Sequence, residues 1–220
     1  MSESPLAIGI DFGGTSVKTG VVRGGEIIDL APPIASQDFN GADEIIGAII
    51  RTIGDLGARH GGIRAVGIGV PGFVDFERGV VFDLTNVRGW ANIPLRDKLS
   101  QALGLPVSAD NDANCMAYAE WKLGAGKGYK HLVCAALGTG VGGGIIANGR
   151  MVRGAKFGAG EIGGGVARAG DLLFTPFREH LLRQLYGPFR DSLAILPTAF
   201  GHEAGTEEAA ALALEEAEFQ

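Results

Sequence analysis

Two stretches of the chain, IGIDFGGTSVKTGVVRGGEII (8–28) and AALGTGVGGGIIANGRMV (135–152), follow one plan. Each reads as an apolar strand, a Gly/Thr turn, a second strand, a glycine turn and a third strand. An internal repeat of this kind restricts the fold more than any single motif, because it asks for two lobes of similar design. It places the join near residues 118–130 and divides the chain into 1–118 and 119–220. Much of the glycine content falls at such turns. The 37 glycines of the 220 residues come in pairs and triples without a period, which excludes collagen-like and linker readings.

Between the repeats, the spacing of Ile45, Ile46, Ile49, Ile50, Ile53 and Leu56 predicts an amphipathic helix over 42–60. Ala65–Val70 is a continuous apolar run stopped by Pro-Gly, the pattern of a buried strand. Helices are predicted over 94–103, 112–123, 171–185 and 207–216, and further strands over 107–110 and 192–196. Strands alternating with helices make an α/β layered sheet. The net charge of −6 and the lack of a basic run count against nucleic acid as a partner. Cys115 and Cys134 form no metal-ligand spacing and read as reduced core residues, as in a cytoplasmic protein. No apolar run reaches the roughly 20 residues of a membrane span, and no signal-peptide pattern opens the sequence.

Three glycine or carboxylate motifs are candidates for chemistry. In DFGGT (11–15), backbone N–H groups at a glycine turn can point at an anion, with Thr15 adding a hydroxyl and Lys18 within reach. Asp11 could hold a metal-bound water. An ordinary β-turn explains the same residues. GTGVGGG (138–144) satisfies G-x-G-x-x-G, but a strand rather than a helix follows it, so a dinucleotide fingerprint is rejected. In ADNDAN (109–114) a strand runs into a helix through polar residues. Asp112 is there either a helix cap or a general base, with Asn111 beside it to donate to a substrate hydroxyl.

Taken in order, D-x-G-G-T, V-P-G-x-V-D (70–75), N-V-R-G-W (86–90), D-N-D-A-N, L-G-T-G-V-G-G-G and G-E-I-G (160–163) resemble the ROK family of bacterial sugar kinases and related repressors. The resemblance runs from Ile8 to Gly163. It implies the two-lobed actin-like (ribonuclease-H-like) ATPase fold, with ATP and Mg2+ in the cleft and a sugar as the second small-molecule substrate. It implies phosphorylation of a hexose in the manner of a glucokinase, with Asp112 as general base. The alternative is a catalytically impaired nucleotide- or sugar-binding remnant, or an internally deleted form, of such a kinase. By position, Gly72, Asn86, Asn111 and Glu161 resemble sugar contacts. Asp11, Gly13, Gly14, Thr15 and Lys18 resemble the first phosphate motif, and Gly138, Thr139 and Gly140 the second. Gly164 and Gly165 resemble the adenosine-side turn. With ten residues before Asp11, the helix-turn-helix of the repressor branch is not expected.

The sequence departs from the family pattern after GEIG. Gly164 stands where the family has a histidine, and the cysteines that hold its structural zinc do not follow, so the zinc is expected to be absent. About 80–90 residues of the roughly 300 that two full lobes take are missing by this reading. The second lobe is therefore expected to be incomplete. Apolar residues such as Leu172, Leu173, Phe174, Phe177 and Leu181 would then favour association, a homodimer being one form of it.

Overall fold

The computed structural model of the chain describes residues 4–84, 87–137, 141–160, 179, 183 and 204–218. Its largest sheet has the order β3-β2-β1-β5-β9, with β4 added to β2. The strands are β1 (Leu6–Phe12), β2 (Ser16–Arg23), β3 (Glu26–Leu30), β4 (Ile34–Ala35), β5 (Ile63–Val70) and β9 (Val107–Asn111). β1, β2 and β3 form an antiparallel meander, and β1, β5 and β9 run parallel. Between β5 and β9 the chain makes a small antiparallel sheet of β6 (Val74–Asp75), β7 (Val80–Asp83) and β8 (Ala91–Ile93).

The side-chain alternation of β1 and β5 explains how both faces are covered. Ile8, Ile10 and Phe12 on β1 and Val66, Ile68 and Val70 on β5 point into the main core. Helix α1 (Ala42–His60) closes this side with Ile45, Ile49, Ile53 and Leu56, all buried, together with α2 (Leu95–Leu103) through Leu95 and Leu99. Each fully buried Ile or Leu stabilises the fold by about 1.5–3 kcal/mol relative to exposure. Trp90 is buried in the same core, edge-on to Phe12 at 5.6 Å between ring centroids. α1 carries Asp43 and Glu44 in its first turn and Arg59 and His60 in its last, charges that complement the helix dipole.

The opposite face carries small residues, Ala7 and Gly9 on β1 and Ala65, Gly67 and Gly69 on β5. Helix α4 (Ala204–Glu218) lies there, against β1 and β5. A Cβ at Gly9 would fall on the Thr206 carbonyl, and one at Gly67 on the Ala209 carbonyl. Ala209, Ala210 and Ala213 are buried in that contact, while Leu212 is buried against Cys115 and Tyr118. Although residues 204–218 follow the 118/119 boundary in sequence, they complete the sheet that opens the chain.

Helix α3 (Asp112–Lys122) also crosses over. It packs on α4 and on a second, three-stranded sheet of β10 (Leu132–Leu137), β11 (Val141–Ala147) and β12 (Arg150–Val152). A Cβ at Gly144 of β11 would collide with the Ala117 methyl, and one at Gly142 would approach the Ala113 methyl at 3.1 Å. The second meander thus repeats the strand order of the first, as the sequence repeat predicts. The predicted helix at 171–185 and strand at 192–196 lie outside the described residues, apart from residues 179 and 183, which are helical.

Candidate functional site

A row of neighbours crosses the C-terminal ends of the parallel strands. Asp11 of β1 pairs in register with Gly69 of β5, and Gly69 with Asp110 of β9. Register partners on adjacent strands point to the same face, so Asp11 and Asp110 stand two strand spacings apart, about 10 Å, with a glycine on the strand between them. The first turn of α3 rests over that gap. A Cβ at Gly69 would lie 3.4 Å from the Cys115 sulfur and 3.5 Å from the Asp112 Cα. Crevices at the carboxyl ends of parallel strands are where open α/β sheets bind ligands.

The β9–α3 corner is held by side-chain hydrogen bonds. Asn111 is the N-cap of α3: its side-chain oxygen accepts from the Asn114 N–H at 3.1 Å. Its amide nitrogen donates to the Gly72 carbonyl at 3.0 Å. Gly72 has φ +86°, a conformation that favours glycine, so the Pro-Gly turn meets the corner through its backbone. The cap therefore falls to Asn111 and not to Asp112. Asp112 is the first helical residue and is exposed, and its carboxylate accepts from the Ala113 N–H at 2.8 Å. The positive end of the α3 dipole attracts an anionic side chain placed there.

Asp110, which opens the D-N-D-A-N motif but is given no role in the sequence reading, is the most buried carboxylate of the corner at 2% exposure. One of its oxygens accepts from the Asn111 N–H at 2.8 Å and from the Asn114 side-chain amide at 3.0 Å. The other accepts from Arg153 Nε at 2.9 Å and from a terminal guanidinium nitrogen at 2.8 Å. Arg153 follows β12 directly, and its guanidinium stacks on the Phe76 ring at 3.4 Å from the centroid. Burial pushes the Asp110 pKa above its ordinary value, outweighing the pull of Arg153 and of the hydrogen bonds in the other direction. A carboxylate at the end of a fully buried strand needs a cation or several donors nearby, but the residues VSADN carry no apolar run from which that burial could be read.

The first glycine motif forms the β1–β2 turn. Asp11 is register partner to Lys18 across the hairpin, and both are partly exposed. Gly14 and Thr15 are exposed, and Gly13 half-buried. A Cβ at Gly14 would meet nothing within 4 Å, so crowding inside the fold does not require glycine there. Open space above a glycine turn is what an approaching phosphate needs. The second motif connects β10 to β11, whose glycines lie on a strand facing α3, so no helix opens at them and a dinucleotide fingerprint is excluded. Residues 138–140 themselves, and with them Gly138, Thr139 and Gly140, lie outside the described residues, as do Asn86, Glu161, Gly164 and Gly165.

The approach to residue 161 is described. Segment 153–160 makes turns and no strand. Gly158 packs against the Phe73 ring, and Gly160, with φ +94°, sits against the Gly143 carbonyl of β11. Among the described residues, no group of three or more His, Cys, Asp or Glu side chains is arranged to hold a metal ion, and no helix is long and apolar enough to cross a membrane.

Sheet order and crossing helices define a mixed α/β protein of the actin-like ATPase type. The sequence model of the ROK family matches residues 7–165, and the chain belongs to that family. It is 38% identical to a glucokinase of Halalkalibacterium halodurans over 160 residues, 71% of this chain and 48% of that protein. It is 37% identical to a β-glucoside kinase of Listeria monocytogenes over 155 residues, 70% of this chain and 50% of that protein. The chain thus spans about half the length of the curated relatives it matches. The crystal structure of a ROK family glucokinase from Streptomyces griseus, in complex with glucose and AMPPNP, superposes with a TM-score of 0.76 at 26% identity, covering 96% of this chain and 99% of that one. The structural likeness therefore reaches beyond residue 165, where the family match stops.

Proposed function

We propose that the chain carries out ATP-dependent phosphorylation of a hexose, with glucose the first substrate to test. The observation that carries this reading is the convergence of Asp11, Asn111, Asp112 and the Gly72 turn at one edge of the β1–β5–β9 sheet. The glucokinase and β-glucoside kinase relatives support the reaction class. Asp112 acts as the general base: it takes the proton of a sugar hydroxyl as that oxygen forms its bond to the γ-phosphorus. The bond from the γ-phosphorus to the β,γ-bridging oxygen breaks, and ADP leaves with the electron pair. Asn111 fixes the corner that aims Asp112. The Gly13–Gly14–Thr15 turn and Lys18 receive phosphate oxygens.

The donor set at Asp11, a single partly exposed carboxylate beside an open turn, fits Mg2+ held mainly by water and phosphates rather than a protein cage. The bound ion would neutralise charge on the transferring phosphoryl group. The lobes are proposed as 1–118, with the first turn and Asp112, and 119–220, with the second turn, helix α4 returning to the first.

The test is a coupled ADP-release assay with glucose, fructose, mannose and N-acetylhexosamines. Asp112→Asn should lower kcat by about 10²–10⁴-fold, the usual contribution of a positioned base. A sugar-dependent signal no greater than that of Asp112→Asn would sink the reading. A second reading, nucleotide or sugar binding without turnover, is favoured by the chain's spanning about half the length of its curated relatives. Calorimetric binding of glucose or ATP in a chain with no turnover would select it.

A further inference from the structure

We propose that Asp110 and Arg153 are positioning residues, a buried ion pair that sets the Asn111–Asp112 corner against the exit of the second sheet. The inference rests on reading Asp112 as the base. Asp110 divides its two oxygens between two tasks. One oxygen holds the backbone of Asn111 and the side chain of Asn114, the residues on either end of the α3 cap. The other receives the fork of Arg153 through two nitrogens. Arg153 is anchored in turn over the Phe76 ring, just after the V-P-G-x-V-D turn. One guanidinium therefore joins three segments that are remote in sequence: the turn carrying Gly72, the corner carrying Asp112, and the strand exit at residue 153.

Energetics point to geometry rather than stability as the reason for the pair. Taking a carboxylate to 2% exposure is costly, and an apolar pair of equal volume is often as stable or more so. What an apolar pair cannot supply is direction. Two nitrogens of one guanidinium converge on one Asp110 oxygen and fix its position, and the Asn111 and Asn114 donors on the other oxygen complete the orientation of the carboxylate. Misplacement of a reacting group by about 1 Å can cost on the order of 100-fold in rate.

Arg153→Gln, Arg153→Lys, Asp110→Asn and the double variant Asp110→Asn/Arg153→Gln test this in the full chain. Arg153→Gln should lower kcat with glucose by about 10–100-fold and raise the glucose KM, leaving the ATP KM within about twofold. Arg153→Lys, which keeps the charge but not the fork, should recover part of the loss. The double variant should be no worse than the poorer single one, as for residues acting as a unit. A merely structural role would reduce the folded fraction and leave kcat per folded molecule and the glucose KM unchanged, and that result overturns the proposal. If the wild-type chain shows no turnover, the proposed function fails separately, and amide hydrogen exchange decides the pair. Faster exchange at Asn111 and Asn114 in Arg153→Gln, with α1 unchanged, supports it; equal protection in variant and wild type overturns it.

Discussion

The two antiparallel meanders share a strand order but not a core. The first is extended by β4, β5 and β9 into a six-stranded sheet with helices on both faces. Its β1 alone places Ile8, Ile10 and Phe12 at zero exposure. The second has three strands, and Cys134 and Ile146 are the buried apolar residues on its described positions. Each meander takes a helix across glycines, but the helices are exchanged. α4, from the end of the chain, covers β1 and β5, while α3, from the first half, covers β11. A repeated strand pattern therefore fixes local shape, and the burial each copy achieves is decided by what crosses over to it.

The sharpest way to break this comparison is to remove α4. A chain ending at residue 203 should lose its cooperative unfolding transition in calorimetry, because the Ala7/Gly9/Ala65/Gly67 face would lose its cover. A retained transition would mean that the first sheet does not need the helix. Next in size, Ile8→Ala should cost about 2–5 kcal/mol in denaturant unfolding, whereas Ile146→Ala in the second meander should fall near 2 kcal/mol, where a thinner core collapses more easily. Equal losses would show the two cores to be equivalent.

Gly144→Val forces the Ala117 methyl away and should cost about 1–3 kcal/mol. Hydrogen exchange should quicken across β10–β12 and leave β1 and β5 protected. The smallest effect concerns Asp29, where β3 meets the end of α1. His60 Nε2–H donates to its carboxylate at 2.7 Å and Arg59 lies at 3.2 Å. The hydrogen bond from His60, then the Arg59 charge, hold its pKa below the ordinary 3.8. A depressed carboxylate pKa means stability that is present above 3.8 and lost as the pH falls through the folded-state value. The difference in Tm between wild type and Asp29→Asn should thus be small near neutrality and vanish in acid.

Strands and helices with a strong apolar period were legible in the sequence. The Ile ladder of α1, the run Ala65–Val70 and both glycine hairpins fold as their patterns require. The strands of β6–β8 run two to four residues, too short for any periodicity to register, and exist through pairing with one another. The exchange of α3 and α4 was not legible because it depends on complementarity between glycines and alanines remote in sequence. Of the candidate site, Asp112 and Asn111 stood out as polar residues at a strand-to-helix junction. Their division of labour, Asn111 as cap and Asp112 as first helical residue, required the backbone angles. Arg153, between Val152 and Gly154 with Arg150 and Lys156 close by, belonged to no motif, and its meaning comes only from the buried carboxylate opposite it.

The return of α4 to β1 also has a consequence in time. During synthesis at about 5–20 residues per second, Thr206 is made roughly 10–40 s after Gly9. Throughout that interval the small-residue face of β1 and β5 has no native cover, so the nascent chain must be kept from pairing that face with another molecule. Protease cleavage of ribosome-held chains would report it, with β1 and β5 cut readily until residue 218 has cleared the exit.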